Sequence, residues 1–122
     1  MINIQVIDLE KAIELHNKIP EFNDNYIEKN FENKCIGNDP LILKLEVYGF
    51  KAGYLIGYDH FKDGSYYLWM GGILPEFRKI GHMKRLINYS SEWAKKEGYD
   101  RIRIKTRNYN KAMINLCVNE GF

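Results

Sequence analysis

The sequence lacks long hydrophobic runs, an excess of charge of one sign and a large set of cysteines. Its apolar runs are short, such as residues 41–43, far below the ~20 residues that cross a bilayer. The N-terminus has no basic start and no apolar segment, so we expect neither an export signal nor a membrane partner. The 18 Lys and Arg residues against 16 Asp and Glu leave a net charge of +2, which does not indicate a polyanionic partner.

Only two cysteines are present, Cys35 and Cys117. A chain of 122 residues buries enough surface to fold without a disulfide or a metal, and thiols that are not exported are typically reduced. We therefore expect both thiols to be buried and reduced, and the protein to be cytoplasmic. His16 and His60 have no cysteine, histidine or aspartate partners at ligand spacing, so we predict no metal site.

The composition is otherwise typical of one folded domain. The chain is 45% hydrophobic and 28% charged, ordinary values that exclude a largely disordered protein. Its length fits a single domain over residues 1–122, and no internal repeat or linker is visible. Aromatic residues make up 14% of the chain, which favours a sheet-containing core over a helical bundle.

Hydrophobic periodicity predicts a mixed α/β domain, with strands where apolar residues alternate and helices where they recur every 3.6 residues. The predicted elements are a strand over 2–7, helices over 9–19 and 24–34, strands over 41–47, 50–60 and 65–74, a helix over 80–97, a strand over 100–107 and a last helix from Asn110. Asp63 and Gly64 predict a hairpin turn. The order is βαα-βββ-αβα, with an antiparallel meander over 41–74.

The most informative stretch is residues 69–86, where a predicted strand runs through a short turn into an amphipathic helix. The first backbone N–H groups of a helix lack internal partners and carry the positive end of its dipole. Gly81 allows a ligand to approach the backbone, and the cations around it are Arg78, Lys79, Lys84 and Arg85. These features indicate a site for a pyrophosphate or a similar anion. Alternatively, Gly81 only eases the turn and the cations form a solvated face.

Two motifs carry a resemblance that covers nearly the whole chain. The pattern Ile73-x-Pro75-x-x-Arg78-x-x-Gly81-x-Met83 resembles the phosphate motif of the GNAT superfamily of acyl-CoA-dependent N-acyltransferases. Met83 departs from that motif, since glycine or alanine is usual there. The segment over 110–122 resembles a second motif of the family, which Asn110, Leu116, Gly121 and Phe122 fit.

The resemblance implies a GNAT-like fold and a set of contacts with acetyl-CoA as co-substrate. Backbone groups of Ile73 and Leu74 would pair with the pantetheine arm like an added strand. The pyrophosphate would lie beside Arg78, on the backbone N–H groups of Lys79, Ile80, Gly81, His82, Met83 and Lys84. Asn110 would contact the pantetheine or its sulfur end.

Two adjacent glycines, Gly71 and Gly72, lie just before the end of the strand over 65–74. Glycine pairs inside strands often mark a bulge or a close backbone approach, and we expect a bulge here that splays this strand from the strand over 100–107. A free N–H at Gly71 would then polarise the thioester carbonyl as an oxyanion donor. Alternatively, the glycines only relieve crowding beside Trp69.

The implied reaction is direct transfer of an acetyl group to a primary amine, on a small molecule or a peptide, in a ternary complex. The amine must first lose a proton, and the glutamate that many relatives carry on the strand equivalent to 65–74 is absent. Tyr67 lies near the expected place, but the base stays unassigned. Cys117 replaces the tyrosine that often protonates the leaving thiolate; it either donates a proton or is a small core residue.

The chain ends at Phe122, where typical members of the resembled family continue with two more strands. The strand over 100–107 would then have an unpaired edge, and we expect a homodimer through that edge. Its alternating cations are Arg101, Arg103, Lys105 and Arg107. Such cations usually form a solvated edge; the sharper alternative, a patch for an acidic substrate or nucleic acid, lacks interleaved aromatic residues for stacking. We therefore expect no nucleic-acid partner.

A second functional hypothesis is a catalytically silent acyl-CoA-binding or association module. Met83 in the phosphate motif, the cysteine at position 117 and the short C-terminus favour it. Release of thiol from acetyl-CoA across a panel of amines distinguishes the two hypotheses.

Overall fold

The computed structural model describes residues 1–19, 33–78 and 80–104. The elements are β1 (Ile2–Val6), α1 (Leu9–Asn17), β2 (Leu41–Val47), β3 (Phe50–Tyr58), β4 (Ser65–Ile73), a 3₁₀ turn (Pro75–Phe77), α2 (His82–Lys96) and β5 (Arg101–Ile104). This confirms the mixed α/β class and the predicted order over these ranges. Most of the helix predicted over 24–34, the end of the strand over 100–107 and the last helix lie outside the described residues.

The strands form one five-stranded sheet in the order β1-β2-β3-β4-β5. The first three pairings are antiparallel, so the predicted meander is confirmed. β5 then pairs with β4 in parallel, with Ser65 opposite Arg101 and Leu68 opposite Ile104, and α2 makes the crossover that a parallel pair requires. The homodimer contact through the far edge of β5 stays a prediction.

The turn between β3 and β4 is longer than the two-residue hairpin predicted at Asp63 and Gly64. β3 ends at Tyr58, and the side chain of Asp59 accepts a hydrogen bond from the N–H of Lys62 at 3.3 Å. Lys62 and Gly64 both have positive φ, 55° and 89°. The chain therefore reverses over residues 59–64, because polar side chains within the loop replace the strand hydrogen bonds.

Each face of the sheet carries its own hydrophobic core. On one face α1 packs on the sheet, and this core includes Ala12, Leu15, Tyr54, Tyr67 and Trp69. On the other face α2 packs on the sheet, and this core includes Leu43, Leu68, Met83, Leu86 and Ala94. Successive strand residues alternate between the two faces, so every buried strand must carry apolar residues at nearly every position.

A bulge interrupts β4 at Trp69. Ile56 lies opposite Met70, whereas the next β3 residue, Gly57, lies opposite Leu68, so Trp69 is the extra residue. Trp69 and Met70 consequently enter the same core, on the α1 face. The bulge predicted at Gly71 and Gly72, which would splay β4 from the strand over 100–107, stays a prediction: the register with β3 is regular there, and the described pairing with β5 ends at Leu68 and Ile104.

The start of α1 and the end of α2 follow the predicted capping signals, whereas α1 ends at Asn17 and α2 begins at His82, each two residues inside its predicted bound. The side chain of Asp8 accepts a hydrogen bond from the N–H of Lys11 at 3.0 Å, as an N-cap does. Gly98, just past α2, has a φ of 99°, the left-handed conformation that favours glycine after a helix. Within the described ranges, no helix is long and apolar enough to span a membrane.

Candidate functional site

The candidate site lies where β4 ends and α2 begins. Pro75 occupies the first position of the 3₁₀ turn, where its missing N–H has no cost. The N–H of Phe77 donates to the carbonyl of Leu74 at 2.9 Å, and the N–H of Arg78 donates to the carbonyl of Pro75 at 3.3 Å. This tight turn brings the strand end and the start of α2 together within eight residues.

Leu74 has both of its backbone polar groups engaged inside the protein. Its N–H donates to the carbonyl of Ala52 at 2.8 Å, and its carbonyl accepts from Phe77. Leu74 is therefore poorly suited to the predicted pairing with a pantetheine arm, because that pairing needs an available donor or acceptor.

Gly71 and Ile73 direct their backbone groups toward the opposite edge of β4. Along a strand, consecutive residues alternate between the two neighbouring edges, and the Leu74 N–H faces β3. The register with β3 is regular from Met70 to Ile73, so Ile73 and Gly71 face away from β3. This direction is compatible with the roles predicted for both residues.

Arg78 folds back on the end of β4. Its Nε donates to the carbonyl of Ile73 at 2.9 Å, and this contact spans the 3₁₀ turn. The sequence motif predicted Arg78 at the anion site but gave no sign of this bond, because residues five apart across an irregular turn have no characteristic spacing.

The first turn of α2 presents backbone N–H groups. Gly81 precedes the helix in the left-handed conformation (φ 80°, ψ 18°). It occupies the N-cap position and has no side chain that could accept a hydrogen bond from the first turn. The first intrahelical bond runs from Arg85 N–H to the Gly81 carbonyl at 3.2 Å, so the N–H groups of His82 and Met83 have no acceptor within the helix. Among the described residues, a Cβ on Gly81 would meet only the Arg85 guanidinium, at 3.8 Å, so these residues leave the approach to the turn open.

Arg85 adds a fixed positive charge beside Gly81. One Nη donates to the carbonyl of Ile80 at 3.0 Å and lies 3.3 Å from His82 Nδ1. A guanidinium only donates, so Nδ1 accepts and the imidazole is neutral in this contact. Burial, and then the charge of Arg85, lower the pKa of His82. The buried His82 side chain therefore supplies no charge to an anion, although its backbone N–H is in place.

Met83 points into the core, which explains its departure from the usual small residue. The side chain is buried in the α2 core with Leu86 and Ile87. A bulky residue at this position therefore does not fill the turn, and its backbone N–H stays at the start of α2. Ile80 and Lys84 are exposed on either side.

Tyr67 is buried in a cluster of aromatic rings on the α1 face. Its ring lies 5.6 Å from Tyr58, 5.3 Å from His60 and 5.6 Å from Phe61, between ring centroids. Tyr58 Oη and His60 Nδ1 are 2.9 Å apart, which holds the exposed imidazole at the rim of the cluster. From the sequence, His60 was considered only as a metal ligand; its spacing of two from Tyr58 was the available signal for this contact.

The basic residues of β5 have acidic partners. Arg101 and Arg103 lie 3.0 and 2.9 Å from Asp63 Oδ2, and Arg101 also pairs with Asp100 at 2.9 Å. The Arg103 guanidinium lies 4.7 Å above the Phe61 ring. These pairs favour the solvated edge over a patch for an acidic ligand.

Three predicted site residues, Lys79, Asn110 and Cys117, lie outside the described residues. The others lie along the strand end and the start of α2, with Tyr67 on the α1 face. Among residues 1–19, 33–78 and 80–104, no cluster of His, Cys, Asp and Glu is arranged to hold a metal ion.

Three solved structures illustrate the similarity of this fold to known proteins. The ribosomal-protein-S18-alanine N-acetyltransferase from Escherichia coli has a TM-score of 0.79 at 19% identity, over 99% of this chain and 77% of that one. The PaiA N-acetyltransferase from Thermoplasma acidophilum, in complex with coenzyme A, has a TM-score of 0.74 at 16% identity, over 100% and 89%. An aminoglycoside acetyltransferase from an uncultured soil sample, in complex with sisomicin, has a TM-score of 0.71 at 14% identity, over 99% and 88%.

Sequence comparison gives the family. No curated protein sequence matches the chain. A sequence model of the acetyltransferase (GNAT) family, however, matches residues 7–122, which include β4, the turn and α2. With the fold and the glycine-led helix start in agreement, the chain belongs to the GNAT family of acetyltransferases.

Proposed function

We propose that the protein transfers an acetyl group from acetyl-CoA to a primary amine. The observation that carries this proposal is the start of α2, where Gly81 leaves the first backbone N–H groups open beside Arg85. Such a helix start binds phosphate through its N–H groups and its dipole. The end of β4, which would hold the pantetheine arm, leads directly into it.

The residues at this site fit the diphosphate and the pantetheine arm of coenzyme A. The diphosphate would bind the N–H groups of the turn from Lys79 to Lys84, with Arg85 supplying charge. The pantetheine arm would pair with the backbone of Ile73, which faces away from β3, rather than with Leu74, whose groups are engaged. Asn110 remains a proposed contact at the sulfur end.

The chemistry requires attack of a neutral amine on the thioester carbonyl, followed by loss of the thiolate of coenzyme A. The carbonyl oxygen gains negative charge as the bond forms, and a backbone N–H aimed at it lowers the barrier. The direction of the Gly71 N–H, away from β3, supports this role. Tyr67 and Cys117 are retained as candidates for proton transfer, because β4 contains no carboxylate, although the burial of Tyr67 leaves little access for an amine.

The acceptor is proposed only as a class, a primary amine on a small molecule or a peptide. One similar structure contains an aminoglycoside acetyltransferase with sisomicin, and another is named for acetylation of a protein's alanine. Both classes belong in the amine panel of an activity assay.

The second candidate is an acyl-CoA-binding module that catalyses no transfer. The absence of Asp, Glu and His from β4 favours it, because many relatives place the base on that strand. Binding of acetyl-CoA with no thiol release on any amine, including aminoglycosides and peptide N-termini, would identify the module.

Gly81→Asp tests the proposed cofactor site. The carboxylate would occupy the approach to the turn and repel the diphosphate, so we expect isothermal titration to show no detectable binding of coenzyme A. Gly98→Asp is the matched control, since Gly98 has positive φ and open space at the other end of α2; its affinity should match that of the wild type. Unchanged affinity in Gly81→Asp would place the cofactor elsewhere.

A further inference from the structure

We propose that Arg78 makes binding of the pantetheine arm depend on the diphosphate of the same ligand. The inference rests on the proposed function and adds specificity to it. Its basis is the hydrogen bond from Arg78 Nε to the carbonyl of Ile73, at 2.9 Å. That carbonyl faces away from β3, on the side where a pantetheine arm would pair with the strand.

Arg78 and the arm would approach the same carbonyl from the side that faces away from β3, and for this reason they would compete for it. A guanidinium has donors only, and the amide N–H groups of pantetheine are also donors. A carbonyl that accepts from a charged donor makes a stronger hydrogen bond than one that accepts from a neutral amide. An arm without a phosphate would therefore have to displace the better donor in exchange for a weaker bond.

The diphosphate removes this obstacle because it offers Arg78 a better partner. Arg78 is three residues before Gly81, and a guanidinium binds phosphate oxygens through two parallel hydrogen bonds. When the diphosphate reaches the start of α2, the guanidinium exchanges the Ile73 carbonyl for phosphate oxygens. The carbonyl then accepts from the pantetheine amide, with no covalent bond made or broken.

The consequence is discrimination among ligands that share the same reactive end. Coenzyme A thioesters carry the diphosphate and release the strand, whereas pantetheine thioesters do not. Arg78 is thus a specificity-determining residue, since it penalises arms that arrive without the tail and contributes binding to those that carry it.

Arg78→Ala separates the penalty on ligands without a diphosphate from the added binding of ligands that carry one, because removal of the guanidinium changes the two affinities in opposite directions. Ligand-observed NMR, which measures weak affinities, and isothermal titration would give dissociation constants for S-acetylpantetheine and for acetyl-CoA. We expect the variant to bind S-acetylpantetheine about tenfold more tightly and acetyl-CoA about tenfold more weakly, the size of one hydrogen bond to a charged group. Lys96→Ala, which removes one exposed charge at the far end of α2, should change neither constant.

Every other outcome overturns the inference. Weaker binding of both ligands would mean that Arg78 only supports the strand end, and loss for acetyl-CoA alone would make it a simple phosphate ligand. If Arg78→Ala lowers the melting temperature, Arg78→Gln is the second variant, since it keeps a neutral donor. It should also bind S-acetylpantetheine more tightly and acetyl-CoA more weakly than the wild type, with smaller changes than Arg78→Ala. Failure of the wild type to bind acetyl-CoA would instead refute the proposed function, which Gly81→Asp tests separately.

Discussion

Asp63 organises the polar residues of the turn before β4. Its Oδ1 accepts from the Ser65 hydroxyl at 2.5 Å and from the Ser65 N–H at 3.0 Å. Its Oδ2 accepts from Arg101 and Arg103. These contacts, with the Ser65 hydroxyl foremost, lower the pKa of Asp63 to about 2. One carboxylate thereby ties the turn to β5.

The pKa of Asp63 gives a prediction for stability at low pH. Because the pKa falls from its ordinary value of about 3.9 to about 2, the ionised carboxylate stabilises the fold above pH ~4. That contribution is lost as the pH falls toward 2. Asp63→Asn should therefore flatten the dependence of the unfolding free energy on pH between about 4 and 2, measured by urea denaturation. Glu92→Gln, at an exposed pair, should change the curve far less, and equal curves for both variants would contradict the prediction.

Single residues also show where interpretation of the sequence reached its limit. The sequence predicts Arg78 and Gly81 at an anion site, because a glycine and cations at a helix start form a local pattern. The direction of Met83 into the core and the bond from Arg78 to Ile73 were not predicted, since both depend on how α2 packs on the sheet.

At the scale of elements, local sequence signals were sufficient to predict the order of helices and strands. They were not sufficient to predict the register in which the strands pair. The meander, the start of α1 and the end of α2 follow from alternation and from capping residues that the sequence displays. The bulge at Trp69 was not predicted, because its place is set by which β3 residues lie opposite. The sequence of β4 alone does not predict how β4 pairs with β3.

A buried hydrogen bond fixes α1 to the sheet. His16 Nδ1, on α1, lies 2.6 Å from Tyr54 Oη, on β3, with both residues buried. Tyr54→Phe removes this partner of a buried polar atom, so we expect a loss of about 1–3 kcal/mol in unfolding free energy. Urea denaturation measures it, with Tyr48→Phe at the exposed β2–β3 turn as a control that should be nearly neutral. A neutral Tyr54→Phe would show that apolar packing alone holds α1.

For the whole molecule, the sequence predicted the class and the family but not the arrangement of side chains between elements. Tyr99 illustrates this gap: its hydroxyl donates to Asp39 at 2.9 Å, across sixty positions of the chain. Tyr66 donates to the Asp39 carbonyl at 2.8 Å. Contacts of this range follow from the finished sheet, and no pattern within a short window predicts them.

The reactivity of the Cys35 thiol indicates whether the core is folded. It is a free thiol, fully buried on the α1 face, and burial raises the pKa of Cys35 to about 12. Because only the thiolate is nucleophilic, we expect no reaction with a disulfide reagent in the native state and rapid reaction in denaturant. A Cys117→Ala background assigns the signal to Cys35, and fast native labelling would contradict the burial.

The parallel pairing of β4 with β5 has a consequence for the order of assembly. Residues 41–73 form consecutive hairpins whose partners are close along the chain, whereas β5 reaches β4 only after α2 has crossed the sheet. Short-range pairs close at lower entropic cost than distant ones, so the hairpins provide the template on which α2 and β5 dock. The proposed diphosphate site is the turn between β4, which belongs to the hairpins, and α2, which docks later. A ligand bound there would contact both elements and so stabilise the docking of α2 on the sheet.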